Sequence, residues 1–347
     1  MHQKIAFVLA AGFGKRLKPY TNTLPKPLIP VAGVEPLYFV LFRLKEKGFT
    51  KIIVNVHHLA EQIISFCNNF QKDFPGLEIR IQHEKQGLLG TGGSLVRAIR
   101  NQKDWFQEGS SLLTLNADVL SSMDFEVLCE GQAEFSKVAL SKYPDHLRKY
   151  SNLYISKGFY SSIHKNSNED QEAAHMLCAH YLSPRAVQLI AKSKNILKEN
   201  GDLFNLVYRF LKENHERIKA HIVYDEQSLK LTDFWFDMGT MKELLLAQKE
   251  LLQRVELLSF WESYLLARHP QLKKYKHNIF SNVSLDTAFL TEHIVGPVIL
   301  NFGMIDVSYL KTLQLGPNLF YSGDLNEDRK KQSLENAVVV NDAELSV

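Results

Sequence analysis

Apolar residues along this chain come first as short, nearly continuous runs. Ile5–Leu9, Lys51–Val56, Leu77–Gln82 and Ser111–Leu115 each read as a buried strand, apolar without strict alternation. Between them lie stretches that read as helices: Pro36–Lys47, stopped by Gly48, then Ala60–Phe70, then Thr91–Asn101, opened by Gly92-Gly93. Strands alternating with helices at this pace predict βαβ units and an open, Rossmann-like sheet, mixed but mostly parallel, flanked by helices.

The rhythm changes after residue 135. Ser136–Ser141, Leu153–Ser156 and Ala173–Leu182 read as strands joined by turns, with the polar run Lys165–Glu172 as a loop. Helices return at Pro184–Lys198 and Leu203–Asn214, Ile222–Tyr224 forms another strand, and the stretch from Trp235 opens a helix that runs past Leu252. Glu256–His269 reads as a linking helix. From about Lys276 the chain consists of short apolar pieces broken by Gly, Asn, Asp and Pro, loosely six residues apart, which suggests a small β extension with a short left-handed β-helix as one form. The expected organisation is therefore a catalytic domain over residues 1–255, a linking helix over 256–275 and a β extension over 276–347.

Composition narrows the class. The chain has 347 residues, 45% hydrophobic and 23% charged, with a formal charge of +3. That length suits about two domains, and the small charge with no Lys/Arg block argues against a nucleic-acid partner. The 3 cysteines, Cys67, Cys129 and Cys178, are widely spaced and read as reduced core residues. No signal peptide and no apolar run of about 18 residues stands out, so the expected location is cytoplasmic and away from the membrane.

The chemistry is concentrated after the first strand. Leu9-Ala10-Ala11-Gly12-Phe13-Gly14-Lys15-Arg16-Leu17-Lys18-Pro19-Tyr20-Thr21 is followed by Pro25-Lys26-Pro27. A small-residue loop at the end of a first strand is where an open α/β sheet takes phosphates. A dinucleotide fingerprint needs a third glycine where Leu17 stands, and Walker spacing is absent. The pattern G-x-G-x-R-x-x-P-x-T with a downstream P-K-P instead resembles the sugar-1-phosphate nucleotidylyltransferases. Three further pieces resemble that family in the same order. Leu89-Gly90-Thr91-Gly92-Gly93 is similar to its L-G-T-G-G loop, Asn116-Ala117-Asp118 to its N-G-D, and Trp235–Thr240 to its W-x-D-x-G-T.

The resemblance implies a function and assigns roles. The expected reaction joins a sugar-1-phosphate to the nucleotidyl part of an NTP, with release of pyrophosphate and with Mg²⁺. Arg16 and Lys26 act on the phosphates as the catalytic cations. Leu9, Ala11, Gly12, Gly14, Lys15, Gly90, Thr91 and Gly92 hold the nucleotide, aided by polar base-edge contacts from His83–Gly87. Asn116, Glu172 and Tyr181 face the sugar, and Asp118 and Asp237 hold the metal. Asp202 reads as a helix cap. His57-His58, adjacent on the chain, does not read as a metal site, and Tyr143–His146 reads as a turn.

Two features depart from the family. Ala117 replaces a glycine, and no F-x-E-K-P segment lies between Asp118 and Tyr181, leaving Lys157 as a weak substitute. The preferred substrates are GTP with mannose- or heptose-1-phosphate. The alternatives are a uridylyl or cytidylyl transferase and a catalytically silent regulatory subunit. Homo-oligomer formation through the C-terminal extension is a further expectation.

Overall fold

The computed structural model describes residues 4–129, 134–142, 152–167, 170–193, 196, 200–225, 230–268 and 270, and the segments 298–301, 319–322, 340–341 and 344–345. Within these, the first four apolar runs are neighbouring strands: β1 (Lys4–Leu9), β2 (Lys51–Val56), β3 (Glu78–His83) and β4 (Ser111–Asn116). They lie in the order β3-β2-β1-β4 and all pairs are parallel. The crossovers carry α1 (Pro36–Glu46), α2 (Ala60–Asp73) and α3 (Gly90–Asn101), as parallel pairing requires. Register sets Leu9 beside both Asn55 and Asn116, so three strand ends meet at one carboxyl edge.

Next come β5 (Val119–Ser121), the short α4 (Glu126–Cys129), β6 (Ser136–Ser141), β7 (Asn152–Ser156), β8 (Phe159–Ser162) and β9 (Glu172–Leu182). The large sheet has nine strands in the order β3-β2-β1-β4-β9-β6-β10-β8-β7, where β10 is Ile218–Tyr224. It is mixed, and less parallel than the sequence suggests. β9 runs antiparallel to β4, β6 and β7, while β6 and β10 pair in parallel. The physical reason is connectivity: β7 turns directly into β8 through Lys157-Gly158, without the helix that a parallel crossover would need. Glu172, expected in a loop, begins β9.

α5 (Pro184–Lys192) starts on Ser183, whose hydroxyl accepts from the Ala186 N–H at 3.1 Å, with Pro184 in the first turn. It stops at Ser193, short of the expected Lys198. The Leu203–Asn214 stretch is a π-helical turn, Leu203–Tyr208, continued by α6 (Arg209–Glu213). Asp202 caps it, accepting from the Phe204 and Asn205 N–H groups at 2.9 Å each. β11 (Trp235–Asp237) pairs with β5, and α7 (Met241–Gln253) begins on the Thr240 cap. α8 (Val255–Arg268) follows.

The chain divides into two compact units that interleave in sequence. The first comprises Met1–Phe13, Val40–Ala117 and Ser121–Trp235. Its core joins Phe7, Ile53, Leu112, Val138 and Leu140 of the sheet to Leu95 and Ile99 of α3, Val187 and Ile190 of α5, and Tyr208 and Leu211. The second comprises Gly14–Phe39, Asp118–Leu120 and Phe236–Val347. There Trp261 of α8 donates to the Ala32 carbonyl at 3.1 Å and packs on Phe39, while Arg268 forks onto Glu35 with two 2.8 Å bonds. Aromatic burial and a bidentate ion pair together fix α8.

At the C-terminal end, β12 (Val298–Asn301), β13 (Leu319–Ser322) and β14 (Val340–Asn341) stack in parallel, and β15 (Glu344–Leu345) turns back on β14. The rest of the expected β extension, on which the β-helix reading depends, and the turn at Tyr143–His146 lie outside the described residues.

Candidate active site

The second unit gathers the charged residues. Lys15–Leu17 and Tyr20–Asn22 are tight turns after Gly14. Gly14 adopts φ +60°, and a Cβ there would stand 2.7 Å from Thr21 Cγ2 and 3.1 Å from Lys26 Cβ. Its carbonyl accepts from the Leu17 N–H at 2.8 Å and the Thr21 hydroxyl at 3.0 Å. The spacing of Gly14, Thr21 and Lys26 is thus one packed object: the glycine is needed because the threonine and lysine lie under it.

Lys26 is buried, and its ammonium reaches two carboxylates. It hydrogen-bonds Asp118 Oδ2 and lies 3.5 Å from Asp237 Oδ1. Burial acts against the ammonium, but the charges of Asp118 and Asp237 outweigh it and hold its pKa above the usual lysine value. Burial pushes the Asp237 carboxyl up, with Lys26 opposing and Asp118 and Glu243 reinforcing. The Met238 N–H donates to the Asp118 carbonyl at 3.0 Å, which locks the two aspartate segments together. Gly239 completes the cluster. A Cβ there would meet Arg16 Nη2 at 2.6 Å, Glu243 Oε2 at 2.9 Å and Asp237 Oδ2 at 3.1 Å. Arg16, Lys26, Asp118 and Asp237, assigned from four separate sequence positions, are therefore brought together, with Glu243 as a neighbour that sequence reasoning missed. Its signal was the Thr240-x-x-Glu243 spacing of a helix start.

The donor set of this cluster suits a hard cation. No group of three or more His, Cys, Asp or Glu that could hold a metal occurs among the described residues. Mg²⁺ does not need one, since it takes one or two carboxylates and completes its shell with water and phosphate oxygens. Asp118 and Asp237, close enough to share one ammonium, fit that requirement.

The first unit carries the other assigned residues. Leu9 and Asn116 are register partners at the carboxyl edge, and the Ala117 N–H donates to the Leu9 carbonyl at 3.0 Å. Ala11 is buried; Gly12 is exposed, and a Cβ on it would meet nothing within 4 Å. Phe13 stands exposed with its ring 5.2 Å from that of His57.

The Leu89–Gly93 loop corrects the sequence reading. Its glycines serve the fold: a Cβ on Gly90 would stand 2.5 Å from the Gly201 carbonyl oxygen, and one on Gly92 2.5 Å from the Asp202 oxygen. The Gly92 and Gly93 N–H groups both donate to the Gly201 carbonyl, at 2.9 and 3.2 Å. The Leu203 N–H donates to the Thr91 hydroxyl at 3.0 Å. Gly92 is buried, so only Gly90 and Thr91 of this loop offer an exposed surface. Glu84, expected at the base edge, is fully buried.

Two sugar assignments are not brought to the carboxyl edge. Tyr181 pairs with Leu113 and Lys137, is buried, and hydrogen-bonds Ser111, the first residue of β4. It therefore lies toward the opposite end of that strand from Asn116. Glu172 begins β9 far beyond the end of β4, exposed and ion-paired with Lys142. Antiparallel register, which a local Y-L-S-P match does not encode, decides both positions.

Residues 5–149, less than half of the chain, match the Nucleotidyl transferase family model. The chain is similar to several sugar-1-phosphate nucleotidylyltransferases. It is 38% identical over 120 residues to the N-acetylmuramate alpha-1-phosphate uridylyltransferase of Neisseria meningitidis serogroup B, covering 35% of this chain and 49% of that protein. It thus spans about half the length of that relative. It is 26% identical over 288 residues to the mannose-1-phosphate guanyltransferase 2 of Candida glabrata, covering 80% of this chain and 70% of that one. In fold it is similar to a putative glucose-1-phosphate thymidylyltransferase from Bacillus anthracis, with a TM-score of 0.56, 19% identity, and coverage of 71% and 94% of the two chains. No described helix is long and apolar enough to cross a membrane.

Proposed function

We propose that this chain transfers a nucleotidyl group from an NTP to a sugar-1-phosphate. An oxygen of the sugar phosphate attacks the α-phosphorus, the bond to the β,γ-phosphates breaks, and pyrophosphate leaves. The observation that carries this reading is Lys26 held between Asp118 and Asp237, with an Arg16 guanidinium nitrogen close beside Gly239. Charge accumulates on the leaving pyrophosphate, and two positioned cations stabilise it. Asp118 and Asp237 are the residues that hold Mg²⁺, which when bound offsets phosphate charge. No general base is required, since the sugar phosphate is already an anion. Leu9, Ala11, Gly12, Gly14, Lys15, Gly90 and Thr91 serve the nucleotide, and Asn116 the sugar.

The preferred pair is GTP with mannose- or heptose-1-phosphate, a reading supported by the guanyltransferase relative. The uridylyltransferase relative supports a UTP-dependent alternative. The sites of Tyr181 and Glu172 favour a second reading, a catalytically silent homologue, because the expected sugar contacts are not assembled around Asn116. The C-terminal β extension is proposed to join copies of the chain, with its stacked strands compatible with a β-helix-like form.

The deciding experiment is pyrophosphate release with Mg²⁺, each common NTP and a panel of sugar-1-phosphates. Turnover with one pair, reduced at least about 100-fold by Asp118→Asn, is the expected outcome. Silence across the panel with nucleotide binding intact establishes the regulatory reading instead.

A further inference from the structure

Glu84 is a fully buried carboxylate that no cation pairs with among the described residues. A charge in that position is costly unless hydrogen bonds satisfy it. Here every donor it uses belongs to a segment that frames the proposed nucleotide loops. Its Oε1 accepts from Asn55 Nδ2 at 2.8 Å and from the Ser94 hydroxyl, and its Oε2 accepts from the Leu89 N–H at 3.0 Å. Asn55 in turn uses its Oδ1 to accept from the Ala10 N–H at 2.8 Å. Ala10 directly follows β1 and leads into Gly12; Leu89 leads into Gly90 and Thr91. The Glu84 carbonyl also holds His57 Nδ1 at 2.8 Å, and the His57 ring meets Phe13 edge-on. One residue thus reaches the loop after β1 by two routes and the loop before α3 by two more.

We infer that Glu84 is the positioning residue for nucleotide binding: it sets the spacing between the Ala10–Phe13 and Leu89–Thr91 loops through Asn55, Ser94 and the Leu89 amide. This rests on the nucleotide reading proposed above. An acid is required by the arithmetic of donors. Asn55 Nδ2, Ser94 and Leu89 all donate, so both carboxyl oxygens must accept. A glutamine at this position turns an NH₂ toward either Asn55 or Leu89, and one donor then faces another.

The same arithmetic supplies a rescue. In the double variant Asn55→Asp with Glu84→Gln, the acid and the amide exchange places. The introduced aspartate accepts from the Ala10 N–H and from the amide of the introduced glutamine. Ser94 accepts the second amide hydrogen, and the glutamine oxygen still accepts from the Leu89 N–H. The test measures binding of GTP, UTP, CTP and dTTP, each with Mg²⁺, together with thermal unfolding and hydrogen exchange at the Ala10 and Leu89 amides. E84Q is expected to raise Kd about tenfold and to speed exchange at both amides, and N55D/E84Q to recover most of both. Glu216→Gln is the control. That buried carboxylate accepts from Ser136 at 3.3 Å and Ser183 at 2.7 Å, away from either loop, and its loss should lower stability while leaving Kd unchanged. If E84Q does not fold, Ser94→Ala, which removes a single donor, is expected to raise Kd about threefold.

If the wild-type chain binds none of the four nucleotides, the nucleotide reading falls and this inference with it. If the wild type binds and E84Q or S94A binds as tightly, or if the double variant is no better than E84Q, the inference alone falls. A Kd for E216Q that rises as far as that of E84Q also overturns it, because the effect would then follow stability rather than loop position.

Discussion

Gly12 and Gly14 are two residues apart, yet their alanine variants should behave oppositely. At Gly14 an added methyl must adopt φ +60°, which costs a side-chain-bearing residue about 1–2 kcal/mol. It must also displace Thr21 Cγ2 at 2.7 Å and Lys26 Cβ at 3.1 Å, an overpacking cost of about 1–3 kcal/mol. Reduced freedom of the unfolded chain returns about 0.4–1 kcal/mol. The expected net loss for Gly14→Ala is about 2–4 kcal/mol, and with an m-value of about 3 kcal/mol/M the urea midpoint falls by about 1 M. At Gly12 the added methyl meets nothing within 4 Å and the backbone lies outside the left-handed region. Gly12→Ala should therefore change stability by less than about 0.5 kcal/mol, while weakening NTP binding about tenfold, because a methyl fills space that a phosphate needs beside the backbone. Urea melts of both variants, paired with nucleotide titrations, separate the two roles. A wild-type melt for Gly14→Ala, or a loss above about 1 kcal/mol for Gly12→Ala, refutes the assignment of one glycine to the fold and the other to the ligand.

Lys26→Met should cost about 1–3 kcal/mol at neutral pH, since it leaves the half-buried Asp118 and Asp237 without their shared counter-charge; a melt unchanged from wild type contradicts the bridging geometry. Gly92→Ala would gain up to about 1 kcal/mol of helix propensity, but the Asp202 carbonyl oxygen 2.5 Å away cannot yield cheaply, so a net loss of about 1–3 kcal/mol is expected and any stabilisation rejects the close approach. His180 is buried against the Tyr208 hydroxyl at 2.7 Å, and burial pushes its pKa down to about 3. The folded chain then holds fewer protons than the unfolded chain between about pH 6.5 and 3. Stability is therefore intact above pH 6.5 and lost on acidification at up to about 1.4 kcal/mol per pH unit; His180→Asn should flatten that slope in melts from pH 7 to 4.

Much of the parallel half of the fold is legible in the sequence, because a buried strand flanked by helices writes itself as an unbroken apolar run. Lys51–Val56 and Ser136–Ser141 fall where the pattern puts them. β10 extends back to Ile218, through polar residues whose pairing with β6 is non-local. The charged cluster was legible only as resemblance. Nothing in residues 26, 118 or 237 alone says that they meet. The reasons for Gly90 and Gly92 were hidden for the same cause, since the backbone that crowds them arrives with Gly201. Glu84 sits in the polar string His83-Glu84-Lys85-Gln86, which reads as a source of base-edge contacts. Its burial follows from Asn55 and Ser94, residues that carry no local sign of a partner.

The Gly201 carbonyl that receives the first N–H groups of α3 also bears on how the chain is made. Thr91 and its donor Leu203 are 112 residues apart. At ribosomal rates of about 5–20 residues per second, that gap lasts roughly 6–20 s. Throughout it, the start of α3 has emerged without the segment that satisfies it. The loop proposed to take the nucleotide is thus completed late in synthesis. Any truncation before Gly201 leaves that loop unfinished, even when every strand from β1 to β9 is already present.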